Sequence, residues 1–584
     1  MLISVIYEKS TSLAIVSLTH REGFSPATEG AGSPDTMRAV STDAMSQSWG
    51  TLQNDQYVGL FPWAWMQFES SEPPGPLPFL GGVDPQVVAS LYQVHRHLSG
   101  AIDIAISDVF AGRASIHDPE FPKRLENAYA EVVNSRPRLR ERIRCGREPD
   151  GTFQWEFPLD PTKSAIVEYD RLRIINTVTR QALPLAMDRR MAPAVGRFIG
   201  NLSGTQTFAE IRAEIQRMGK AFGANLAKYL SDLLELLETH DCLAVAPRST
   251  IREYWLNATR DRDVVHLGHA ALMYRQKSNF LFFDSWLIPW FAEAPIPSLW
   301  TSLLPKPTAI FLTHDHDDHV DPRTLLAIPK ETPVIVPSRK NGKRFFYDYK
   351  ALLSRLGFTQ VIELAHGESW AFDGGAVVAV PFYGECSCEL GMPRNCYLIV
   401  DRGRNIYIPV DSGPTNSGEN SVKDGVIDEL VRQYGPIDLV YHQPGQLLEL
   451  RTFAAYACLS HPGRWLEVGE NCCVSSDYLA QLATAAKARF FVSYANGGAD
   501  WLPDHPVFTF SGRNQALREM ITAHWWPLEE LEAKLGAQGC RLYASRACDV
   551  FRETDKGSTE PLPAAAPQPL ELYRLDHDDQ LFMR

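Results

Sequence analysis

Residues 308–319 read Thr-Ala-Ile-Phe-Leu-Thr-His-Asp-His-Asp-Asp-His. The apolar run from Ile310 to Leu312 has the character of the end of a buried strand. It gives way at once to His314, His316, Asp318 and His319, in the spacing H-x-H-x-D-H. Imidazoles and carboxylates at this density are costly to bury unless a metal or a partner compensates them. His314 and His316 lie two apart, so an extended loop points both the same way. Asp318 and His319 offer a second pair as the chain turns. Two pairs this close point to two metals, at the roughly 3.5–4 Å separation of two-metal sites. The alternative is a solvated Asp/His-rich loop, but random clustering rarely gives this spacing directly after a buried strand. Asp315 and Asp317 fall out of the ligand phase and are expected in solvent or behind the ligands.

The 584 residues suffice for two to four domains with sizeable cores. A composition of 45% hydrophobic and 22% charged residues is that of an ordinary globular protein. The net charge of -13 argues against a nucleic-acid groove, which needs clustered Lys and Arg. Ten scattered Cys are too few for a disulfide scaffold in a chain this long. The start, Met-Leu-Ile-Ser-Val-Ile-Tyr-Glu-Lys, has neither a basic n-region nor a small-residue cleavage site, so no signal peptide is expected. No apolar run approaches the roughly 18 residues of a membrane span, so no membrane partner is expected. The cytoplasm is the expected compartment.

Outward from the cluster, the texture divides the chain. An N-terminal domain is expected over residues 1–250, with strand-like alternation at 2–17, loops at 20–50 and 71–87, and helices at 84–109 and 119–133. Within it, residues 192–246 form a distinct block. Thr207 followed by Glu210 predicts a capping box. Leu226, Leu230, Leu233 and Leu237 mark an amphipathic helix, and Asp241-Cys-Leu-Ala-Val-Ala reads as a strand. This block weakly resembles small winged-helix-like carrier or chaperone domains; a helical pair used for packing or dimerisation is the plainer reading. A catalytic domain is expected over 251–555, where short strands and tight turns begin. The Pro/Ala-rich residues 556–584 read as a linker and tail.

The catalytic region resembles the metallo-β-lactamase fold. Gly268-His-Ala and Phe283-Asp-Ser-Trp-Leu are similar to the opening hairpin of its hydrolase branch. Asp411, ending Ile406-Tyr-Ile-Pro-Val-Asp, stands where that family carries a metal-bridging aspartate. Two departures matter. Zinc hydrolases place a third His between the cluster and the aspartate; here Val380-Pro-Phe-Tyr-Gly-Glu offers Glu385 instead. They also end a late strand in His, where this chain has Tyr494 and Asn496. Exchanging imidazole for carboxylate moves a site toward harder, oxygen-rich coordination, although zinc accepts both.

These features together resemble the diiron β-hydroxylases of non-ribosomal peptide synthesis, whose best-known member acts in chloramphenicol biosynthesis. The resemblance implies an α+β chain: an N-terminal mixed α/β dimerisation-type domain followed by a metallo-β-lactamase αββα sandwich. It implies His314, His316 and Glu385 on one iron, and Asp318, His319 and Asp411 on the other. It implies an oxygenase that hydroxylates the β-carbon of an aromatic or leucine-like amino acid. The amino acid would be held as a thioester on a carrier domain, and O2 would be the cosubstrate. A homodimer is expected, with an external electron donor, since no flavin, ferredoxin or nicotinamide motif occurs. The competing reading is a binuclear zinc hydrolase with two Zn, and a third is a non-catalytic partner of a synthetase.

Among single residues, Glu385, Tyr383, Tyr494 and His442 are the candidates for a catalytic role. Either tyrosine would hydrogen-bond substrate or oxygen. His442 ends a strand at the metal edge, as ligand or as support. His269 reads as a partner of a ligand or as a core histidine, and Asp284 as a buttress for the ligand histidines. His366 and His461 read as loop residues. The isolated Cys386-x-Cys388 reads as structural. Trp286, Trp290, Phe382 and Tyr383 are candidates for a pocket lining.

Overall fold

The computed structural model describes residues 55–60, 64–71, 79–83, 144–147, 153–156, 159–176, 181–240, 242–244, 248–284, 287, 304–316, 318–341, 346–384, 393–415, 418–443, 474–495, 528–554 and 559–563. Statements about structure concern these residues. The segments 2–17, 20–50, 84–109 and 119–133 lie outside them.

In the block expected at 192–246, helix α1 (Ala192–Asn201) leads into the strand Ser203–Thr207. Helices α2 (Phe208–Phe222) and α3 (Ala224–Thr239) follow, then the short strand Leu243–Ala244. The capping box forms as its spacing predicts: Thr207 Oγ1 accepts from the Glu210 amide, and the Glu210 carboxylate accepts from the Thr207 amide. Leu226, Leu230, Leu233 and Leu237 are all buried. The block is not self-contained, however. Tyr57–Leu60 is the central strand of its sheet, paired on one side with Ser203–Thr207 and on the other with Leu243–Ala244. Helix α4 (Arg248–Ala258) then occupies the stretch where strand texture was expected to begin. Trp255 is fully buried there and anchors the helix, a tertiary contact that outweighs local texture.

The region expected to be catalytic forms two facing sheets. One runs in the order Val361–Leu364, Val334–Pro337, Ala309–Phe311, Asn279–Phe283, Ala271–Gln276, Val264–Gly268, Val550–Glu553, Thr559–Leu562. The other runs Ser369–Phe372, Gly375–Pro381, Asn395–Asp401, Arg404–Val410, Leu439–His442, Phe490–Ser493, Arg541–Ala544. Strand alternation fills three layers. Ala309 and Phe311 face the core between the sheets, with Phe283, Tyr397, Ile408 and Tyr494. Ile310 and Leu312 face outward onto a core shared with α1, α2 and α3. Beyond the second sheet, Val440 and Phe491 pack against the helices Val426–Tyr434, Ser476–Ala486 and Leu528–Gly536. The strand Thr559–Leu562 corrects the expected linker: it pairs antiparallel with Val550–Glu553, so residues 559–562 close the edge of the first sheet. Its Pro561 sits on an edge strand, where a missing amide is tolerated.

The two parts of the chain are joined closely. Helix α5 (Pro322–Leu326) begins three residues after His319 and packs on the strand Ala64–Glu69, with Arg323 over the Trp65 ring. α1 crosses beside the same region through Gly196 and Gly200. A side chain at Gly196 would strike the Leu356 carbonyl, and one at Gly200 would lie 2.5 Å from the Ile328 carbonyl oxygen. Buried Lys330 gathers the carbonyls of Leu325, Leu326 and Ile328 at 2.6–2.7 Å. It thereby satisfies the orphan acceptors at the end of α5.

Candidate metal centre

Parallel strands in both sheets end at one edge of the sandwich. Asn279–Phe283 and Ala309–Phe311 run parallel in the first sheet, and Arg404–Val410, Leu439–His442 and Phe490–Ser493 in the second. The segments that leave these strands carry the cluster, since ligands gather at the carboxyl ends of parallel strands. Asp284 follows the first strand with φ 54°, and Asp411 follows Val410, whose φ is 55°. Non-glycine residues in this left-handed region are uncommon, and the turns they make swing both carboxylates toward the histidines.

His314 and His319 are fully buried, with His316 and Asp318 half-buried beside them. His319 Nε2 lies 3.0 Å from Asp411 Oδ2 and 3.8 Å from Asp318 Oδ1, and His314 Nε2 lies 3.7 Å from Asp411 Oδ2. Two sets of donor atoms result, each within 4.8 Å: His314, His319 and Asp411; and His269, Asp318 and His319. Asp411 Oδ1 is buried without a hydrogen-bond partner. A buried carboxylate oxygen without a partner is expensive unless a cation completes it. The spacings suit atoms that share an ion at about 2.0–2.2 Å. The residues present therefore fit a metal.

Supporting contacts fix these rings. His319 Nδ1 donates to Asp284 Oδ2 at 2.8 Å, and the same carboxylate accepts from the amide and hydroxyl of Thr313 at 2.9 Å. Thr313 Oγ1 also meets His314 Nδ1 at 2.9 Å. Both histidines thus present Nε2 inward, with the outer nitrogen held as outer-shell partners hold a ligand. Burial, reinforced by His319 and His316, pushes the His314 pKa well below the usual imidazole range and leaves it neutral with its lone pair available. Burial opposes a charge on His319, but Asp411, Asp318 and Asp284 outweigh it and hold its pKa well above that range. Burial raises the Asp284 carboxyl despite the nearby His319.

The other candidates fall in different places. His442 is buried with Nδ1 2.6 Å from the Gln443 carbonyl and Nε2 2.8 Å from the Ser412 carbonyl. Both nitrogens are directed at backbone, so His442 steadies the segment after Asp411 rather than facing the cluster. The Tyr383 hydroxyl is engaged by Asp424, and partial burial with that carboxylate pushes its pKa up to about 12. The Tyr494 hydroxyl is fully buried with no hydrogen-bond partner; burial, then Asp284 and Asp411, raise its pKa well above the phenol range. Phe382 lies against His314, with ring centres 5.2 Å apart. Glu385, Asp317, Trp286, Trp290, Cys386, Cys388, His461 and Asn496 lie outside the described residues.

Asp315 is not solvated. It is buried in an ion pair with buried Arg394, Nε to Oδ1 2.9 Å, and Arg394 Nη2 reaches within 3.3 Å of His316 Nε2. Arg394 stacks over Phe382 and its carbonyl lies 3.0 Å from His366 Nε2. Sequence reading misses Arg394, because its partners lie 78 and 79 residues away and no local pattern marks it.

No protein-family model matches the chain. In a search of curated proteins, a segment of 190 residues is 26% identical to the 4-amino-L-phenylalanyl-[CmlP-peptidyl-carrier-protein] 3-hydroxylase of Streptomyces venezuelae. The match covers 32% of this chain and spans about a third (34%) of the curated relative's length. Among solved structures, CmlA, a diiron β-hydroxylase from Streptomyces venezuelae, aligns over 87% of this chain and all of its own, with TM-score 0.52 and 16% identity. The chain shares the fold of this diiron β-hydroxylase. A putative metal-dependent hydrolase from Parabacteroides distasonis aligns over 49% of the chain, with TM-score 0.30 and 17% identity. Among the described residues no helix is long and apolar enough to cross a membrane.

Proposed function

We propose that this chain is a non-haem diiron monooxygenase that hydroxylates the β-carbon of an aromatic or leucine-like amino acid carried as a thioester on a carrier domain. The observation that carries this reading is the convergence of imidazole and carboxylate donors around Asp411, whose Oδ2 faces His319 and His314 and whose Oδ1 is buried without a partner, in a fold shared over 87% of the chain with a diiron β-hydroxylase. The curated relative's action on an aminoacyl group of a peptidyl carrier protein supports the substrate class.

In this reading His314, His316 and Glu385 hold one iron, and Asp318, His319 and Asp411 the other. The irons, once bound, supply the reductive activation of dioxygen, with electrons from an external donor. The chain's own part is positional. Asp284 and Thr313 keep the Nε2 atoms of His314 and His319 turned inward. Arg394 and Asp315 brace His316 from behind. Phe382 sets an apolar ring against His314. Tyr494 keeps its hydroxyl proton, because burial beside Asp284 and Asp411 disfavours phenolate, so it can donate a hydrogen bond into the site. Tethering on a carrier arm raises effective concentration and fixes the approach of a weakly bound side chain.

The test is mass analysis of aminoacyl-loaded carrier domain after incubation with iron-reconstituted protein, O2 and reductant. Addition of one oxygen atom to the tethered amino acid is the expected result. Release of unmodified amino acid from the thioester, by protein loaded with zinc, would replace the oxygenase by the hydrolase.

A further inference from the structure

The late strand that supplies a histidine in zinc hydrolases of this fold ends here in Ser493-Tyr494-Ala495. The donor missing from that strand end has a neighbour in space. The Ala495 amide donates to the His269 carbonyl at 3.0 Å, which sets His269 directly beside the end of the strand. His269 belongs to the hairpin between Val264–Gly268 and Ala271–Gln276, where Gly268 pairs with Ala271 and leaves His269 and Ala270 as a two-residue turn.

The side chain of His269 is buried and directed at the cluster. Its Nε2 lies 3.0 Å from Asp318 Oδ2, its ring centre lies 5.5 Å from that of His319, and the donor atoms of His269, Asp318 and His319 form one of the two metal-sized sets. Its backbone φ is 47°. Turn chemistry at such a position favours Gly, Asn or Asp. A histidine there is strained unless the surroundings hold it. They do: the His269 carbonyl accepts from His266 Nε2 at 2.8 Å as well as from Ala495. A strained residue held from two sides, with its imidazole turned toward a carboxylate of the cluster, is more than a turn former.

We propose that His269 supplies the nitrogen donor on the second metal, in place of the histidine that the late strand lacks. The second ion is then held by His269, Asp318, His319 and Asp411. This deepens the binuclear reading given above and rests on it. It differs from a supporting role, in which His269 would only hydrogen-bond Asp318. Losing an outer-shell partner weakens metal binding by about 10–100-fold, whereas losing a ligand removes the ion.

Two variants separate these cases. His269→Gln keeps an N–H donor for Asp318 but is a poor ligand; His269→Asn suits the left-handed backbone. Full-length protein would be loaded with Fe(II), and separately with Zn(II), and the bound metal counted after gel filtration. The expected result is two ions on the parent chain and one on each variant, with either metal. Two ions retained by the Gln variant, or a second-site affinity within about 100-fold of the parent, would overturn the proposal and leave His269 as a support for Asp318. Should either variant fold poorly, His269→Gly with added imidazole decides: recovery of the second ion supports ligation, and no recovery overturns it. A parent chain that holds no metal at all would instead defeat the binuclear reading itself. Because the count needs no turnover, it stands apart from the hydroxylation assay.

Discussion

The helices α2 and α3 and the metal edge bury opposite things. In α2 and α3 the buried residues are Ile211, Ile215, Met218, Leu226, Leu230, Leu233, Leu234 and Leu237, and the charged residues point outward. At the metal edge the buried residues include Asp284, His314, Asp315, His319, Arg394 and His442. The first region follows the ordinary rule that apolar stripes face the core. The second violates it at every turn, and each violation is answered by another charge, a hydrogen bond or a place for a cation. A fold tolerates such a concentration of buried charge where function requires it. The difference makes a prediction: substitutions at the edge should leave uncompensated charges, whereas substitutions in the helices should lose only local increments.

Arg394 offers the hardest test of that contrast. Replacing it in Arg394→Met leaves Asp315 buried without its cation. Breaking a buried pair in this way costs about 3–5 kcal/mol. The expected result is a loss of that size in urea unfolding of the metal-free chain, with most of it regained in the double variant Arg394→Met, Asp315→Leu. Burial works against ionisation of Asp315, but Arg394 outweighs it and holds the carboxyl below its usual range. A depressed carboxyl stabilises above its unfolded value, near pH 4, and that contribution is lost as pH falls through the folded value. The gap between parent and single variant should therefore narrow in acid. A single variant as stable as the parent at neutral pH would show that the edge is no more demanding than a helix surface.

This contrast also explains what could be read from the chain alone. The capping box at Thr207 and the leucines of α3 are local patterns, and local patterns are visible in one dimension. The H-x-H-x-D-H spacing is visible for the same reason, and the alternation of Ala309, Ile310, Phe311 and Leu312 between two cores is the period of a strand. The features that were not legible all depend on distant partners. Arg394 meets Asp315 across 79 positions. Tyr57–Leu60 enters a sheet whose other strands lie beyond residue 200. The strand Thr559–Leu562 hides in a Pro/Ala-rich stretch because an edge strand needs only its neighbour's hydrogen bonds, not a strong propensity of its own.

Gly200 tests the ground between the two regions. It lies on α1, where an added methyl would approach the Ile328 carbonyl oxygen to 2.5 Å and Lys330 Nζ to 3.2 Å. The backbone there follows directly on α5, which begins three residues after His319 of the cluster. Gly200→Ala should cost about 1–3 kcal/mol, the usual range for overpacking a tight contact. Calorimetry with and without Zn(II) checks it. If α1 braces the His/Asp cluster through α5, part of that cost should appear as weaker metal binding. If it appears wholly as lower stability of the metal-free chain, the two regions are joined mechanically but are separate in function.

The smallest effect should come from the helix cap. Thr207→Ala removes the hydroxyl that accepts from the Glu210 amide, a loss worth about 1 kcal/mol at an N-cap. Thr207→Ser keeps the acceptor and should restore it. Nothing in this cap touches the histidine cluster, so metal affinity should be the same in parent and variant. A measurable fall in metal affinity from Thr207→Ala would therefore do more damage to the comparison than a large stability change would. It would mean that the helices and the edge share one cooperative unit, and that the buried charges depend on the amphipathic block for more than a surface to pack against. An unchanged affinity beside a lowered unfolding midpoint would place the boundary between the two kinds of burial at the contact of α1 with α5.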